Sequence, residues 1–587
     1  MTMAERVLFF APHAGIWIHA FPEALVARAV KAAGGEVVYV TCGGAFSSFC
    51  VTMAAHGVSA DSPTRDKEKV CRACRRNRDV LRVAFGFRSY DFESVLEPRD
   101  EDRIRELLAS ARRDDIASFV VDGIRVGQAA LYEYLIQTKR AQGELDEDEW
   151  TRFLPRLANV LRSLLAAQRV IERERPTRVI AYNTLYSVNA MWRAVAEQRG
   201  IPVYVLHAGP NFAYRLRTMI IGRDSTTRAM YRLVDAWPQH RDVPANAEEL
   251  DTVTDHFCEV LAGQNVFAYS APKSHADWRP RFGIRPDQKL LVAAMSSYDE
   301  YVAARAIGEQ PDESNLLFPT QIDWIRALVA WVRDQPDRFL LLRVHPREFP
   351  NKREGVKSQH AQMLERELVD LPPNVRVNWP ADELSLYDIA EYADVFLNAW
   401  SSAGKEMAML GRPVVVYCPS LLMYSADINY VGETRETYFA AIEDALRKGW
   451  SFEHIRGAYR WCAVEYVRAI ADIGDGFDFS ERRATTFAGR ARNALLALPM
   501  VRQAHDVLRR PRMLAQQARM AEVILAGKSS LLDVPAQRTP ASEADETAAI
   551  RRQVARLVRV LYGDDAKQAQ PGTLRHHLEA AVHDVSR

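Results

Sequence analysis

The chain has 587 residues, 48% of them hydrophobic and 26% charged, with a formal net charge of +1. That length exceeds what one hydrophobic core fills, so two or three domains are expected, and the near-zero charge gives no reason to expect a nucleic-acid partner. No apolar run reaches the roughly 18–20 residues that a membrane-spanning helix needs.

The first apolar run, Val7 to Ala11, is short and is followed by Pro12 and His13. Glu5 in the would-be basic region and the interrupting histidines argue for a buried strand rather than a signal peptide. Seven cysteines, an odd number in a large chain, fit a cytoplasmic protein with reduced thiols. A helical stretch follows from Trp17 to Ala33, closed by Gly34-Gly35, and then a strand, Glu36 to Val40. Strand, helix, strand is the pattern of a nucleotide-binding half-domain. Residues 100 to 175 are charged and helical, an insertion into this first lobe. The alternation then resumes with a strand at Arg178–Tyr182, a helix at Ser187–Arg199 and a strand at Val203–Leu206.

A break rich in Pro, Asp and Asn covers 237 to 250. A second series of strands begins at Lys289–Ala294 and continues at Arg338–Val344, Val375–Asn378, Ala393–Asn398 and Pro413–Tyr417. The expected fold is α/β, with two doubly wound lobes, 1–245 and 285–480, facing a cleft as in the GT-B architecture. Residues 481–587 differ: they are basic and helical, interrupted by a Pro/Ser/acidic linker near 534–547, and end in an amphipathic helix from Ala548 to Tyr562. Such helices pack back on the lobes, form a homodimer, or lie on the anionic inner face of the cytoplasmic membrane.

Residues at the carboxyl ends of strands in open α/β sheets point into the ligand crevice. In the second lobe three such ends stand out. Leu340-Leu341-Leu342-Arg343-Val344-His345-Pro346 brings Arg343 and His345 to a strand end, with an imidazole able to donate to a phosphate oxygen. Asn398-Ala399-Trp400-Ser401-Ser402-Ala403-Gly404-Lys405-Glu406 runs from a strand into a helix, whose first-turn amides favour an anion. There Gly404 permits close approach, and Glu406 can meet a ribose hydroxyl. Met295-Ser296-Ser297 supplies further hydroxyls after the lobe's first strand.

The His-Pro pair, the Ser-Ser pair before a helix, and the stretch Leu386-Tyr387-Asp388-Ile389-Ala390 through Leu410-Gly411-Arg412-Pro413-Val414 resemble bacterial capsule polysaccharide glycosyltransferases. That group includes polysialyltransferases and Kdo transferases, and is similar to CDP-glycerol glycerophosphotransferases. The resemblance spans roughly residues 285 to 420. It implies that His345, Ser401 and Ser402 bind the phosphate of a CMP- or UDP-linked sugar, with no metal needed for catalysis.

In the first lobe the acceptor and the base are expected. His13 follows the first strand, and an imidazole titrating near 6.5 suits a general base. Val120-Val121-Asp122-Gly123 reads as another strand end, which makes Asp122 the alternative base. The resembling sialyltransferases carry an acidic residue before such an Asp-Gly, where this chain has Val121. Asn183 and His207 end two further strands and are expected to line the acceptor site. Cys71-Arg72-Ala73-Cys74 has the spacing of one tetrahedral metal. Cys50, Cys71 and Cys74, joined by Cys42 or His56, make a structural zinc site on one reading; free thiols are the other. An iron–sulfur cluster would require all four cysteines.

These residues point to transfer of a sugar from a nucleotide donor to a growing glycan or glycolipid of a bacterial surface polysaccharide. The alternatives are a nucleotide-sugar epimerase or polyol-phosphate transferase on the same fold, and a non-catalytic scaffold in a polysaccharide assembly complex.

Overall fold

The computed structural model describes residues 5–263, 269, 271, 273–274, 277–311, 316–351, 355–473, 487–496, 498–509, 516–563 and 569–583. The chain divides into two compact units. One comprises Met1–Tyr134, Gly143–Met230 and Arg468–Ala536; the other comprises Leu135–Gln142, Tyr231–Val467 and Gln537–Arg587.

The first unit's strands are β1 (Arg6–Phe10), β2 (Glu36–Thr41), β3 (Arg88–Asp91), β4 (Arg178–Tyr182), β5 (Val203–Ala208) and β6 (Thr218–Arg223). The second unit's are β7 (Lys289–Ala294), β8 (Arg338–Arg343), β9 (Val375–Asn378), β10 (Val395–Asn398), β11 (Val414–Val416) and β12 (Tyr430–Val431). A last strand, β13 (Ala471–Asp472), returns to the first sheet. The sheet orders are β13-β6-β5-β4-β1-β2-β3 and β12-β11-β10-β7-β8-β9. Among the described residues, only β6 and β13 run antiparallel to their neighbours.

Both sheets are therefore doubly wound. The chain starts at a central strand, builds outward in one direction, then crosses back to build in the other. The crossing falls between β1 and β4 in the first unit and between β7 and β10 in the second. Central strands of this kind are covered on both faces and read as continuous apolar runs. Val7, Leu8, Phe9 and Phe10 are all fully buried, as are Leu291, Val292 and Ala293. Phe10 stacks on Trp192 at 4.2 Å in the first core. In the second, Trp324 donates its indole N–H to the Tyr438 hydroxyl at 2.9 Å, so that neither buried polar group is stranded.

The chain after residue 480 does not form a separate extension among the described residues. The helix Gln517–Leu525 buries Met520, Val523 and Ile524 in the first core, against the helix Trp17–Ala32. Arg178, on β4, donates to its last-turn carbonyls at Ile524 (2.9 Å) and Leu525 (3.2 Å), groups that have no partner within the helix. The helix Glu543–Tyr562 buries Ile550, Val554, Leu557 and Leu561 in the second unit, packed on Ala247–Leu261. Its buried Glu546 accepts from Arg460 at 2.6 Å. The apolar faces of these helices decide the matter, because each is too wide to leave in water. The helices Phe487–Leu496 and Pro499–Arg509 behave otherwise: Phe487, Leu495, Leu498, Met500 and Leu508 all stand exposed. Among the described residues no helix is long and apolar enough to cross a membrane.

Candidate functional site

In the second unit β10, β7 and β8 are adjacent and parallel, so their carboxyl ends share one edge of the sheet. Every phosphate-site candidate lies on that edge. Ser296 follows β7, and its hydroxyl accepts from the Trp400 amide (2.9 Å), tying the β7 and β10 ends together. Gln321 holds the Ser296 main chain on both sides. Ser297 donates to Glu300. Arg343 is buried and donates one end of its guanidinium to Asn378 (2.6 Å) and the Leu384 carbonyl (3.0 Å). Burial lowers its pKa to about 10, which leaves it cationic at neutral pH.

His345 caps the short turn Pro346–Glu348: its Nδ1 accepts from the Arg347 amide at 3.2 Å. With Nδ1 accepting, the neutral ring carries its proton on Nε2, a donor free of the turn. Burial pulls its pKa down to about 4, so the ring is a neutral donor rather than a cation. Permanent positive charge comes instead from Arg343 and Arg347. Arg347 is buried and pairs with the buried Asp299 at 3.0 Å. Burial raises the Asp299 carboxyl against the pull of Arg347. Burial likewise raises Glu348 to about 7; this residue accepts from the Tyr298 amide (2.8 Å) and from Ser358.

The helix after β10, Ala403–Met409, has only seven residues, and the Ser401 hydroxyl already accepts from the Ala403 amide at 3.2 Å. Ser402 is exposed, with its hydroxyl 3.4 Å from Glu406. Glu406 accepts from the Tyr387 hydroxyl at 2.9 Å. Gly404 has a packing reason rather than a ligand one. A Cβ there would collide with the Tyr424 hydroxyl and fall 2.6 Å from Asn398 Nδ2.

In the first unit β1, β4 and β5 are adjacent and parallel, and they bring His13, Asn183 and His207 to one edge. His13 is 8% exposed, and both its ring nitrogens are buried without a hydrogen-bond partner. Burial lowers its pKa to about 4; Asn189 alongside offsets this slightly. His207 donates Nδ1–H to the Ala208 carbonyl (2.9 Å), which leaves Nε2 as the unprotonated nitrogen. Its pKa is also lowered to about 4 by burial, with Arg215 adding to the effect. A third imidazole, His19 on the helix after β1, stacks on Tyr182 at 4.5 Å, and Tyr182 stacks in turn on His207. Burial and the charges of His207, Arg215 and His13 lower His19 to about 3. Asn183 adopts a left-handed conformation, φ 54°, which asparagine tolerates. Its amide oxygen accepts from Leu185 N (3.1 Å) and Thr226 (3.2 Å), so it shapes the turn after β4.

Asp122 does not end a strand. Val121 and Ile124 form an isolated bridge, and Asp122 occupies the tight turn between them at φ 51°. Its half-exposed carboxylate accepts from Arg103 (2.9 Å) and Gln168 (3.0 Å). The residue pair Asp-Gly was a turn signal, not a strand-end one.

Cys42, Cys50, Cys71 and Cys74 line one small cavity, whereas His56 faces the Gly15 carbonyl at 3.2 Å outside it. All seven cysteines are unbridged. Sequence reasoning missed His19, the Arg347–Asp299 pair and His360, whose buried ring stacks on Tyr298 at 4.3 Å. His19 lies in the first turn of the helix after β1, and only the topology brings it back to His207.

No protein-family model and no curated protein matches the chain. Among solved structures it is similar to an S. aureus MnaA–UDP co-structure, at 10% identity over 79% of this chain and 92% of that one, TM-score 0.25. It is similar to the glycosyltransferase SnogD from Streptomyces nogalater, at 14% identity over 79% and 96%, TM-score 0.23. Thermosulfurimonas dismutans KpsC, a beta Kdo 2,4 transferase, is similar at 16% identity over 49% and 88%, TM-score 0.29. Likenesses this faint assign nothing to this chain.

Proposed function

We propose that the protein is a glycosyltransferase of the GT-B class that moves a sugar from a nucleotide donor, CMP- or UDP-linked, to a bacterial surface glycan. The second unit takes the donor and the first takes the acceptor. The observation that carries this is the gathering of Ser296, Arg343, His345, Ser401 and Ser402 at the carboxyl ends of three adjacent strands, beside the sheet's switch point. That is where open α/β sheets hold nucleotides. A phosphate there meets the Nε2–H of His345, two serine hydroxyls and the fixed charge of Arg343, all of which stabilise a departing nucleotide. Glu406, held by Tyr387, is placed to accept from a ribose hydroxyl.

In the first unit the proton acceptor is a histidine. His207 has its tautomer fixed with Nε2 bare, and His13 has two buried nitrogens that an acceptor hydroxyl would satisfy. Asp122, occupied by Arg103, is assigned to the turn. The exposed apolar residues on the basic helices between Phe487 and Arg509 support attachment to an anionic membrane surface.

The test is a thermal-shift panel of CMP, CDP, UDP, GDP and ADP on the wild type and on a Ser401→Ala/Ser402→Ala variant. A ligand that binds only the folded form raises the midpoint. One nucleotide should stabilise the wild type and lose most of that effect in the variant. No shift with any nucleotide sinks the donor-site assignment. Turnover of a UDP-sugar without acceptor would instead point to an epimerase.

A further inference from the structure

Four of the seven cysteines come from three different places in the first unit and meet at one cavity. Cys42 follows β2, and Cys50 caps the short helix Val51–Ala55. Cys71 and Cys74 lie one turn apart on the helix Thr64–Phe85. The cavity holds about 30 Å³, and its remaining walls include Pro12, Ala14, Arg75 and Arg78. That is room for an ion held by the four sulfurs.

The main chain around the sulfurs is arranged as donors. Gly15 N–H donates to Cys74 Sγ at 3.1 Å. The amides of Gly44 and Phe46 face Cys42, and those of Thr52 and Met53 face Cys50. A neutral thiol is a weak acceptor and gains little from such a ring of amides, whereas a thiolate gains a charge-assisted bond from each. With no ion present burial keeps the thiols protonated, Cys50 at about 12 and Cys74 at about 11. As the side chains stand, no group of three His, Cys, Asp or Glu among the described residues is drawn together tightly enough to hold a metal. The thiols must turn inward on binding.

We infer that Cys42, Cys50, Cys71 and Cys74 form a structural zinc centre. On binding, four S–H bonds break, four protons leave to solvent, and four Zn–S bonds form around one Zn2+ in the closed tetrahedral arrangement typical of structural sites. The centre carries two negative charges, which the guanidinium group of Arg75 and the surrounding amides offset. Its position explains why it is there. Pro12 and Ala14 flank His13, and the next residue, Gly15, is clamped against Cys74: a Cβ on Gly15 would collide with Thr52 Cγ2 and lie 3.2 Å from Cys74 Cβ. The zinc centre braces the loop that presents His13.

The test is metal analysis of the full-length wild-type chain, purified under reducing conditions without chelator, together with cobalt replacement. We expect about one zinc per chain, and a Co2+ form with the thiolate-to-metal charge-transfer and intense visible bands of tetrahedral sulfur ligation. A thiol reagent should react with the native protein's cysteines more slowly by tenfold or more at four positions, with the protection lost on chelation. Cys71→Ser/Cys74→Ser should lose the metal, and Cys258→Ser, in the other unit, should keep it. Wild-type protein with neither zinc nor a cobalt–thiolate spectrum overturns the inference, as does iron with acid-labile sulfide. The wild-type measurements decide even if the double variant fails to fold.

Discussion

At the switch point of the first sheet stand three histidines, His13 buried and His19 and His207 half-buried, all held neutral by desolvation. At the corresponding place in the second sheet one neutral histidine shares the space with Arg343, Arg347, Asp299 and Glu348. The backbone frame is the same: a central parallel strand, neighbours on either side and loops at the carboxyl ends. What differs is whether the charges are fixed. A bare imidazole nitrogen such as His207 Nε2 can take a proton, and the neutral ring brings no charge to an anion. Arg347, locked by Asp299, and Arg343, held by Asn378 and the Leu384 carbonyl, stay cationic and would give a phosphate a lasting field. Under the proposed function, one topology serves two tasks by exchanging titratable groups for permanent ones.

The largest expected effect comes from breaking the first site. His207→Gln or His13→Gln, whichever is the base, should lower sugar transfer by about 10²–10⁴. Nucleotide affinity in a titration should be unchanged. Equal loss of both would remove the histidine from the base role.

In the second unit, Arg347→Met leaves Asp299 buried without its partner. Urea unfolding should show a loss of about 3–5 kcal/mol. Adding Asp299→Asn should restore part of it; if the double variant is no better than the single, the pair is not what Arg347 contributes.

Acid should loosen the edges where the lowered histidines stand. A histidine whose folded pKa lies below its unfolded value of about 6.5 contributes stability that is intact above 6.5 and is lost as pH falls toward 4. For His13, His19 and His207 that loss is on the order of 1 kcal/mol per histidine per pH unit. Carboxyls raised by burial act in the opposite sense. Asp299 and Glu348 oppose folding at neutral pH, and that opposition fades as pH falls through the folded value, about 7 for Glu348. Hydrogen exchange at pH 7 and pH 5, corrected for intrinsic rates, should therefore show protection lost in the peptides around β1, β4 and β5, and also beside His345 after β8. Unchanged protection around β1, β4 and β5 would contradict this assignment.

The smallest contrast lies within a single loop. Gly404→Ala should cost about 1–3 kcal/mol through overpacking against Tyr424 and Asn398. Exposed Ser402→Ala should stay within about 0.5 kcal/mol, affecting nucleotide binding alone.

Much of the frame was legible in the sequence. Runs such as Val7–Phe10 and Leu290–Ala294 can only be central strands, because nothing else buries both faces of so short an apolar segment. Their carboxyl ends pointed to His13, His207, His345 and Ser401. Edge elements left no such mark: β3 reads Arg-Ser-Tyr-Asp, and β13 is two residues long. Asp122 misled because a turn aspartate and a strand-end carboxylate look alike without the hydrogen bonds. The helices after residue 480 were visible as helices, but which core their apolar faces enter depends on tertiary contacts hundreds of residues apart.

That last feature bears on how the protein is made. The first unit lacks β13 and the helix Gln517–Leu525 until the ribosome has passed Ala536, some time after Met230 has emerged. At about 5–20 residues per second, the delay is roughly a quarter-minute to a minute. Throughout it, the groove on Trp17–Ala32 that Met520, Val523 and Ile524 will fill stays open on a nascent chain whose second unit is already being translated. A stop codon shortly before residue 517 would leave that groove unfilled, and would turn a nearly full-length polypeptide into a client of chaperones and proteases.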